Sequence, residues 1–328
     1  MRKIKWGVLG TANIAQTQVI PAIIRAENAE ITAISSTSGK AKEAAATFSI
    51  STFYNSYEEL LQNKEIDAVY IPLPNHLHKK WVIEAAKQGK HILCEKPAAL
   101  NAEEAKEMVD FCREKEVTFM EAFMYQFHPQ HQRVREIIAS GEIGKVKFMS
   151  SSFSFFLEDK ETNIRMKKEM GGGSLYDVGC YCIHAIRTFL QSEPAEVEAY
   201  AELDPKTGVD LTANVYMKLQ NGIPAMFSCS IDMASRQEYE IVGTKGRIIV
   251  PRAFRPDLYG GLGQIIIQTE KVVRKEKWTA DLYKLEIEHF SQAIVDQTET
   301  AYTPEKTIRN MEAVESCYKS IKSKKIDN

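Results

Sequence analysis

The first 121 residues alternate between short apolar or β-branched runs and segments with helical periodicity. Asn101 with Glu104, and Ser56 with Glu59, fit the capping boxes that begin helices. The strand-like runs are IKWGVLG, AEITAIS, IDAVYIP, KHILCE and VTFME. Strands that alternate with helices favour a parallel, doubly wound sheet, because each crossover helix returns the chain to the same edge. This alternation predicts an α/β domain over residues 1–121.

A different pattern begins near residue 145. Strand-like segments follow one another, with hairpin signals at Asn221-Gly222 and Lys245-Gly246. The segments are VKFMSSSFSFF, EVEAYAEL, DLTANVYMKL, IPAMFSCSIDM, EYEIVG and RIIVP. Two helical segments, at about 281–296 and 304–323, close the chain. A single hydrophobic core stops growing at about 250 to 300 residues, and this chain has 328. We therefore expect a second, α+β domain over residues 122–328.

One strand of that second domain has a continuous apolar face. In DLTANVYMKL the alternate residues Leu211, Ala213, Val215, Met217 and Leu219 point to the same side. Either helices of the same chain or another subunit would cover this face.

Charge and cysteine usage exclude several classes of protein. The chain carries 42 Lys and Arg against 44 Asp and Glu, which argues against a nucleic-acid footprint and against a polybasic membrane surface. No apolar stretch approaches the roughly 20 residues of a membrane span. The six cysteines form no CxxC pair, so we expect reduced thiols, no metal site and a cytoplasmic location.

The turn after the first strand has the pattern G-x-A-x-x-A, with Gly10, Ala12 and Ala15. Gly10 allows a tight turn, and small side chains at the other two positions let a pyrophosphate and the helix approach the backbone. The free N–H groups of the helix N-terminus favour phosphate. A dinucleotide site is therefore one interpretation, and a turn without a ligand is the other.

The second strand ends in SSTSGK, where many NAD-binding domains have an acidic residue. An acid would repel a 2′-phosphate, whereas Ser36, Thr37, Ser38 and Lys40 can bind one. This loop favours NADP over NAD. The alternative is a hydroxyl-rich turn with no such role.

Lys96 lies in the stretch CEKPAAL, directly after a buried strand. Ligands of open α/β sheets bind at the carboxyl ends of the strands, so the ammonium is placed to face a bound molecule. A solvated lysine in a turn is the alternative.

The stretch GGGSLYDVGCYCIHAIRTFL predicts a helix that begins at Ser174 in a capping box with Asp177. Asp177, Tyr181 and His184 then share one face. Oxidation of an alcohol by hydride transfer needs a group that takes the hydroxyl proton, and a tyrosine near a lysine ammonium can do so. We expect Lys96 to serve Tyr181 if the fold brings them together. A wet helix face, or a buried Tyr and His satisfied by neighbours, is the alternative.

Over essentially its whole length, the chain resembles the Gfo/Idh/MocA oxidoreductases. The motifs that carry the resemblance are EKP at 95–97, MEAFMYQFHP at 120–129, GEIGKV at 141–146, GGGSLYDVGCYCIH at 171–184 and EIVGTKGRI at 240–248. PLPNHLH at 72–78, NIR at 163–165 and DVGCY at 177–181 are similar to the branch of dimeric dihydrodiol dehydrogenase, NADP-dependent xylose dehydrogenase and glucose-fructose oxidoreductase.

The resemblance implies a Rossmann domain followed by a domain with a large open sheet, which often pairs with its twin in a homodimer. It implies that Lys96 approaches the nicotinamide ribose, that Pro97 follows a cis bond, and that Tyr181 exchanges the proton. Asp177 and His184 would orient the substrate. Arg165 is a further substrate-binding candidate, or an anchor for its own loop.

The expected cofactor site combines these turns. Its residues are Gly10, Thr11, Ala12, Asn13, Ile14, Ser36, Thr37, Ser38, Lys40, Pro72, Leu73, Asn75, His78, Glu95 and Lys96. The sequence departs from the family pattern in lacking an arginine in SSTS, which weakens the preference for NADP.

The function expected from the sequence is an NAD(P)-dependent oxidoreductase for a sugar, polyol, diol or related carbonyl compound. A non-catalytic nucleotide-binding sensor of the same fold is an alternative, and a glycosidase that uses bound NAD is another.

Overall fold

A computed structural model describes residues 2–324. The chain forms two compact units: one comprises the residues up to Met124 together with 281–308, and the other comprises 125–280 together with the residues from Arg309 onward. Residues 281–308 thus join the first unit, whereas the sequence places everything after residue 121 in the second domain. The reason is long-range packing, since the Trp6 indole N–H donates to the Ser291 hydroxyl at 3.1 Å.

The first unit contains a six-stranded sheet in the order β3-β2-β1-β4-β5-β6, and every pairing in it is parallel. Its strands are β1 (Ile4–Leu9), β2 (Ala29–Ser35), β3 (Thr52–Tyr54), β4 (Ala68–Ile71), β5 (His91–Glu95) and β6 (Phe119–Ala122). The helices are α1 (Ile20–Arg25), α2 (Ala41–Thr47), α3 (Tyr57–Gln62), α4 (Asn75–Lys87) and α5 (Ala102–Glu114). The predicted doubly wound sheet is confirmed, and only the three-residue β3 lacks a sequence signal.

Two predicted helix starts in this unit are confirmed. The Ser56 hydroxyl accepts from the backbone N–H of Glu59 at 3.1 Å, and the Asn101 side chain accepts from that of Glu104 at 2.8 Å. A five-residue π turn, Ala15–Val19, precedes α1.

The second unit contains an eight-stranded sheet in the order β14-β13-β12-β11-β7-β10-β9-β8. Its strands are β7 (Val146–Phe156), β8 (Pro194–Leu203), β9 (Asp210–Leu219), β10 (Pro224–Ser230), β11 (Asp232–Gly243), β12 (Gly246–Val250), β13 (Leu262–Thr269) and β14 (Val273–Thr279). Only the β10–β7 pairing is parallel, so the predicted mostly antiparallel sheet is confirmed. Both predicted hairpins are present.

The remaining helices are α6 (Pro129–Ala139), α7 (Cys180–Leu190), α8 (Leu282–Asp296) and α9 (Pro304–Ser323). The apolar face of β9 is buried, and the π turn Leu175–Gly179 packs on β9 and β10 while α7 packs on β7 and β10. Helices of the same chain therefore cover that face. The opposite face leaves Tyr200, Tyr216 and Met226 exposed.

Three further observations concern residues 2–324. No helix there is long and apolar enough to cross a membrane. No group of three His, Cys, Asp or Glu side chains in that range is arranged to hold a metal ion. All six cysteines lie in it, buried and free of disulfides.

Candidate active site

Gly10 occupies the turn directly after β1. Its φ is +112°, a conformation that favours glycine, and its N–H donates to the Ser35 carbonyl at 2.8 Å. A Cβ at this position would lie 3.1 Å from Cδ2 of Leu73, so a larger residue would crowd the turn that follows β4. Ala12 is half-buried and Ala15 is buried. This small-residue cradle fits the close approach of a dinucleotide pyrophosphate.

The remaining predicted residues of this turn lead into the helix. Thr11 and Ile14 are half-buried, and Asn13 is exposed at the first helical position. The Thr11 carbonyl accepts a hydrogen bond from the Gln16 side chain at 2.8 Å, which fixes the backbone of the turn.

The loop after β2 contains hydroxyl groups that contact one another. The Ser36 and Ser38 hydroxyl oxygens are 2.9 Å apart, and those of Thr11 and Ser36 are 3.4 Å apart. Ser36 is buried, whereas Thr37, Ser38 and Lys40 are exposed. The exposed hydroxyls and the lysine are available to a phosphate, and no carboxylate occurs in the loop to repel one.

The turn that carries Lys96 follows β5. The Tyr70 hydroxyl donates to the Glu95 carboxylate at 2.6 Å, and the Lys96 backbone N–H donates to the same carboxylate at 3.2 Å. The Lys96–Pro97 peptide bond is cis, as expected. The Lys96 side chain is half-buried.

Glu121 fixes the residues after Pro97. Its carboxylate is buried in β6 and accepts the N–H of Ala98 at 2.9 Å. A buried carboxylate satisfies a backbone donor in a turn that has no strand partner. Glu121 is not among the site residues predicted above, although an acid at the end of the apolar run VTFME is a usable signal.

His78 links two turns at this edge of the sheet. Its Nε2 lies 2.7 Å from the Leu73 carbonyl oxygen, and its Nδ1 lies 2.9 Å from that of Pro97. Burial lowers the pKa of His78 to about 4, although the carbonyls act in the opposite direction. A neutral ring has one N–H and donates to one carbonyl at a time. His78 is fully buried, so its role in this structure is to join these two turns.

Two other predicted residues belong to the turn after β4. Pro72 is buried, and Asn75 is half-buried as the first residue of α4. Because β1, β4 and β5 are neighbours in the sheet and Leu73 bounds the space beside Gly10, the turns after these strands lie along one edge.

In the second unit, Asp177 lies in the π turn Leu175–Gly179, and Tyr181 and His184 lie in α7. Tyr181 is 4% exposed and His184 is 1% exposed, so the shared face is not a wet helix surface. The extra residue of a π turn displaces side chains from α-helical spacing and is frequent at functional sites.

The predicted cap at Ser174 is wrong. Ser174 is itself helical, and its hydroxyl donates to the Asp210 carboxylate at 2.8 Å. The same buried carboxylate accepts the Leu175 N–H at 2.7 Å and the Tyr318 hydroxyl at 2.7 Å. A Cβ on Gly173 would lie 2.1 Å from this carboxylate. Asp210 therefore fixes the start of the helix, which the sequence did not reveal.

Arg165 and Asp177 form an ion pair. The Arg165 Nε donates to Oδ2 of Asp177 at 2.5 Å, and the two side chains are 37% and 14% exposed. Asp177, and to a smaller degree Tyr181, raise the pKa of the Arg165 guanidinium. The Arg165 carbonyl also accepts the N–H of Gly173 at 2.9 Å, so the arginine both pairs with Asp177 and anchors its loop.

Aromatic rings surround Tyr181. Its ring centroid lies 5.2 Å from that of Phe153, 5.7 Å from that of Phe254 and 5.8 Å from that of Tyr125. Phe153 and Phe254 stack on each other with an interplanar angle of 5°. Tyr125 also contacts His184 by a hydrogen bond. None of these three neighbours is selected by the sequence analysis, since each is distant from Tyr181 along the chain.

Comparison with known protein families identifies both halves of the chain. Residues 4–123 match the oxidoreductase family with an NAD-binding Rossmann fold, and residues 131–249 match the Gfo/Idh/MocA C-terminal domain. The chain belongs to the Gfo/Idh/MocA oxidoreductases.

Three relatives illustrate the membership. The chain is 38% identical to the NADP⁺-dependent D-xylose 1-dehydrogenase 2 of Haloferax volcanii, over 96% of each sequence. It is 31% identical to the trans-1,2-dihydrobenzene-1,2-diol dehydrogenase of Xenopus laevis, over 75% of each. A 3-ketoreductase from Actinomadura kijaniata, solved with NADP and TDP-benzene, superposes with a TM-score of 0.90 at 29% identity and 98% coverage of both chains. This oxidoreductase thus has sugar-converting and diol-converting relatives.

Proposed function

We propose that this oxidoreductase exchanges a hydride between NADP and a CH–OH or carbonyl carbon of a sugar, polyol or vicinal diol. The observation that carries the proposal is the contiguous edge formed by the turns after β1, β4 and β5. The space beside Gly10 is bounded by Leu73, since an added Cβ would lie 3.1 Å from its Cδ2, and His78 connects Leu73 to Pro97. The edge lies where the strand order reverses between β1 and β4, which is where open α/β sheets bind their ligands.

The turn after β1 would hold the pyrophosphate, and the Ser36 to Lys40 loop would hold a 2′-phosphate. Support for NADP comes from the loop, which has no carboxylate, and from the NADP named with the Haloferax volcanii and Actinomadura kijaniata relatives. When bound, the nicotinamide supplies hydride acceptance or donation.

Tyr181 is assigned the exchange of the substrate hydroxyl proton. Three rings pack against its ring and the residue is 4% exposed, which favours a single orientation. Lys96 is assigned the stabilisation of the phenolate by its positive charge. The Arg165–Asp177 pair and His184 are assigned to the orientation of substrate hydroxyl groups.

The substrate class follows from the relatives together with this chemistry. D-xylose and trans-dihydrobenzenediol, named with two relatives, both carry vicinal hydroxyl groups. A screen of aldoses, polyols, diols and dicarbonyl compounds with NADP⁺ or NADPH would identify the substrate.

Replacement of the proton-exchanging group tests the mechanism. Tyr181→Phe should lower kcat about a thousandfold with the best substrate of the screen, because a positioned acid–base group contributes about that factor. The cofactor affinity, measured by tryptophan fluorescence, should change less than about twofold. Tyr176→Phe removes a hydroxyl from the same helical segment and should leave kcat unchanged. An unaltered kcat in Tyr181→Phe would remove Tyr181 from the mechanism.

We also propose a cytoplasmic homodimer that associates through the exposed face of the second sheet. Met226 and Tyr216 are paired across β10 and β9 and are 48% and 41% exposed, so two apolar side chains face solvent together. Light scattering should give twice the chain mass of 37.1 kDa. Met226→Lys should shift the protein towards the monomer, and cell fractionation should recover it with cytosolic markers.

A further inference from the structure

Tyr125 and His184 form a buried pair in the second unit. Tyr125 lies in the short 3-10 turn Met124–Phe127, and His184 lies in α7. The Tyr125 hydroxyl oxygen is 2.5 Å from Nδ1 of His184. Both side chains are 1% exposed, so water does not compete for this hydrogen bond.

The direction of this hydrogen bond follows from the acidity of the two groups. Burial raises the pKa of Tyr125 well above its ordinary value, so the phenol keeps its proton. A phenol is a better donor than the N–H of a neutral imidazole, and an imidazole nitrogen is a better acceptor than a phenol oxygen. The Tyr125 hydroxyl therefore donates to Nδ1, and the ring proton of His184 resides on Nε2.

Tyr239 and His131 form a second tyrosine–histidine pair in the same unit, and a backbone carbonyl determines the direction of its hydrogen bond. Nε2 of His131 lies 2.9 Å from the carbonyl oxygen of Ala253, which can only accept, so Nε2 carries the proton. Nδ1 of His131 then accepts from the Tyr239 hydroxyl at 2.9 Å. The two pairs therefore share one donor–acceptor chemistry, in which the phenol donates to Nδ1 and the ring proton lies on Nε2.

We propose that Tyr125 is a positioning residue for the reaction, which holds His184 as the tautomer whose Nε2–H donates to an oxygen of the bound substrate. The inference rests on the proposed function, in which His184 orients substrate hydroxyl groups. The Tyr125 ring also packs 5.8 Å from that of Tyr181, so one residue contacts both the proton-exchanging phenol and the orienting imidazole.

The first test is spectroscopic and needs no turnover. Long-range ¹H–¹⁵N correlation of histidine-labelled protein should show His184 with an unprotonated Nδ1 and a protonated Nε2, with the signal assigned by its loss in His184→Gln. In Tyr125→Phe the Nδ1 signal should lose the shift that hydrogen bonding produces. A protonated Nδ1 in the unsubstituted protein would overturn the inference, whether or not the protein turns over sugars.

The second test is kinetic and uses the other pair as a matched control. Tyr125→Phe should lower kcat/KM for the best sugar or diol about tenfold, which is the effect of one lost hydrogen bond. The affinity for NADPH should stay within about twofold. Tyr239→Phe deletes a hydroxyl of equal burial from the His131 pair and should change kcat/KM less than about threefold.

A double substitution separates positioning from general loosening. In His184→Gln the side-chain amide N–H replaces the Nε2 donor without a tautomer, so the addition of Tyr125→Phe should cost less than about twofold. An equal loss from Tyr125→Phe in both backgrounds, or an equal loss from Tyr239→Phe, would show a structural role and overturn the inference. Absence of any NADP-linked turnover in the unsubstituted enzyme would instead contradict the proposed function, and the spectroscopic result would still stand.

Discussion

The turn that carries Lys96 and the helix that carries Tyr181 are held by different kinds of interaction. Around Lys96, side chains from neighbouring strands and a helix bind the backbone of the turn, as Glu121 and His78 do. Around Tyr181, three aromatic rings pack on the side chain itself, and the Asp210 carboxylate hydrogen-bonds the start of the helix.

The difference indicates which part of each residue the fold has to position. A lysine has a long flexible side chain, so the backbone from which it extends determines what its ammonium can reach. A phenol is rigid and acts at one atom, so contacts with the ring determine where that atom lies. The first region is therefore sensitive to the loss of hydrogen-bond partners. The second is sensitive to such a loss at the start of the helix and to changes of shape around the phenol.

The largest expected effect concerns the hydrogen-bonded start of the Tyr181 helix. Asp210→Ala leaves the Ser174 hydroxyl, the Leu175 N–H and the Tyr318 hydroxyl without their acceptor, so the free energy of unfolding should fall by about 4 kcal/mol. Urea denaturation measures the change. Asp204 also accepts three hydrogen bonds, but it does so on the surface, and Asp204→Ala should have a much smaller effect. Equal losses would show that burial of the acceptor does not matter.

Acid should weaken the region around the Lys96 turn through His78. The pKa of this residue is about 4 in the folded protein and near 6.5 when unfolded, so the unfolded state binds the additional proton between these values. Stability should therefore fall as the pH is lowered from about 6.5 to 4, by about 3 kcal/mol in total for this group. His78→Gln should flatten this dependence in urea titrations at successive pH values. Buried His128 and His131 contribute with the same sign and remain in the variant. Identical slopes would show that His78 titrates normally.

A change of shape near Tyr181 should affect catalysis more than stability. Phe254→Leu removes a ring that packs on Tyr181 and should cost about 1–2 kcal/mol of stability while lowering kcat about tenfold. Phe290→Leu alters an equally buried ring in the first unit, against Trp6, and should cost similar stability without lowering kcat. If both variants lose activity in proportion to stability, ring packing does not orient the phenol.

The smallest expected effect concerns the loop after β2. Lys40 is exposed, so Lys40→Ala should weaken NADPH binding only about threefold, and this difference should shrink at high salt. NADH binding should not change. Fluorescence titration with both cofactors measures the effect. An equal loss of affinity for NADH in Lys40→Ala would show that Lys40 does not bind the 2′-phosphate.

Much of the first region could be predicted from the sequence because its signals are local. The alternation of strands and helices, the caps at Ser56 and Asn101, and the small residues after β1 each occupy a few consecutive positions. The position of Lys96 directly after a buried strand is also a local signal, but the prediction that its turn is the edge of a cofactor site needs the family resemblance as well. The supports of this turn, Tyr70 and Glu121, were not predicted, because they belong to other strands and only the sheet order brings them to the turn.

The neighbours of Tyr181 could not be predicted either, because they are distant from it along the chain and carry no local signal. Phe153, Phe254 and Tyr125 are ordinary aromatic residues in the sequence, and nothing local separates them from other core residues. Asp210 opens the strand DLTANVYMKL, where an acid is easily interpreted as a solvated strand end. The assumed α-helical spacing from Asp177 to Tyr181 also ignored a π turn, which has no periodic signature of its own.

That π turn has a consequence for how the segment can change during evolution or engineering. Removal of one residue from Leu175–Gly179 would let the turn close as an ordinary α-helix, and the residues inside the turn, Asp177 among them, would shift relative to the helix that follows. Asp177 would then lose its present spacing to Tyr181. Substitutions within this segment are therefore tolerable in ways that insertions and deletions are not, and its length is as much a part of the candidate active site as any side chain on it.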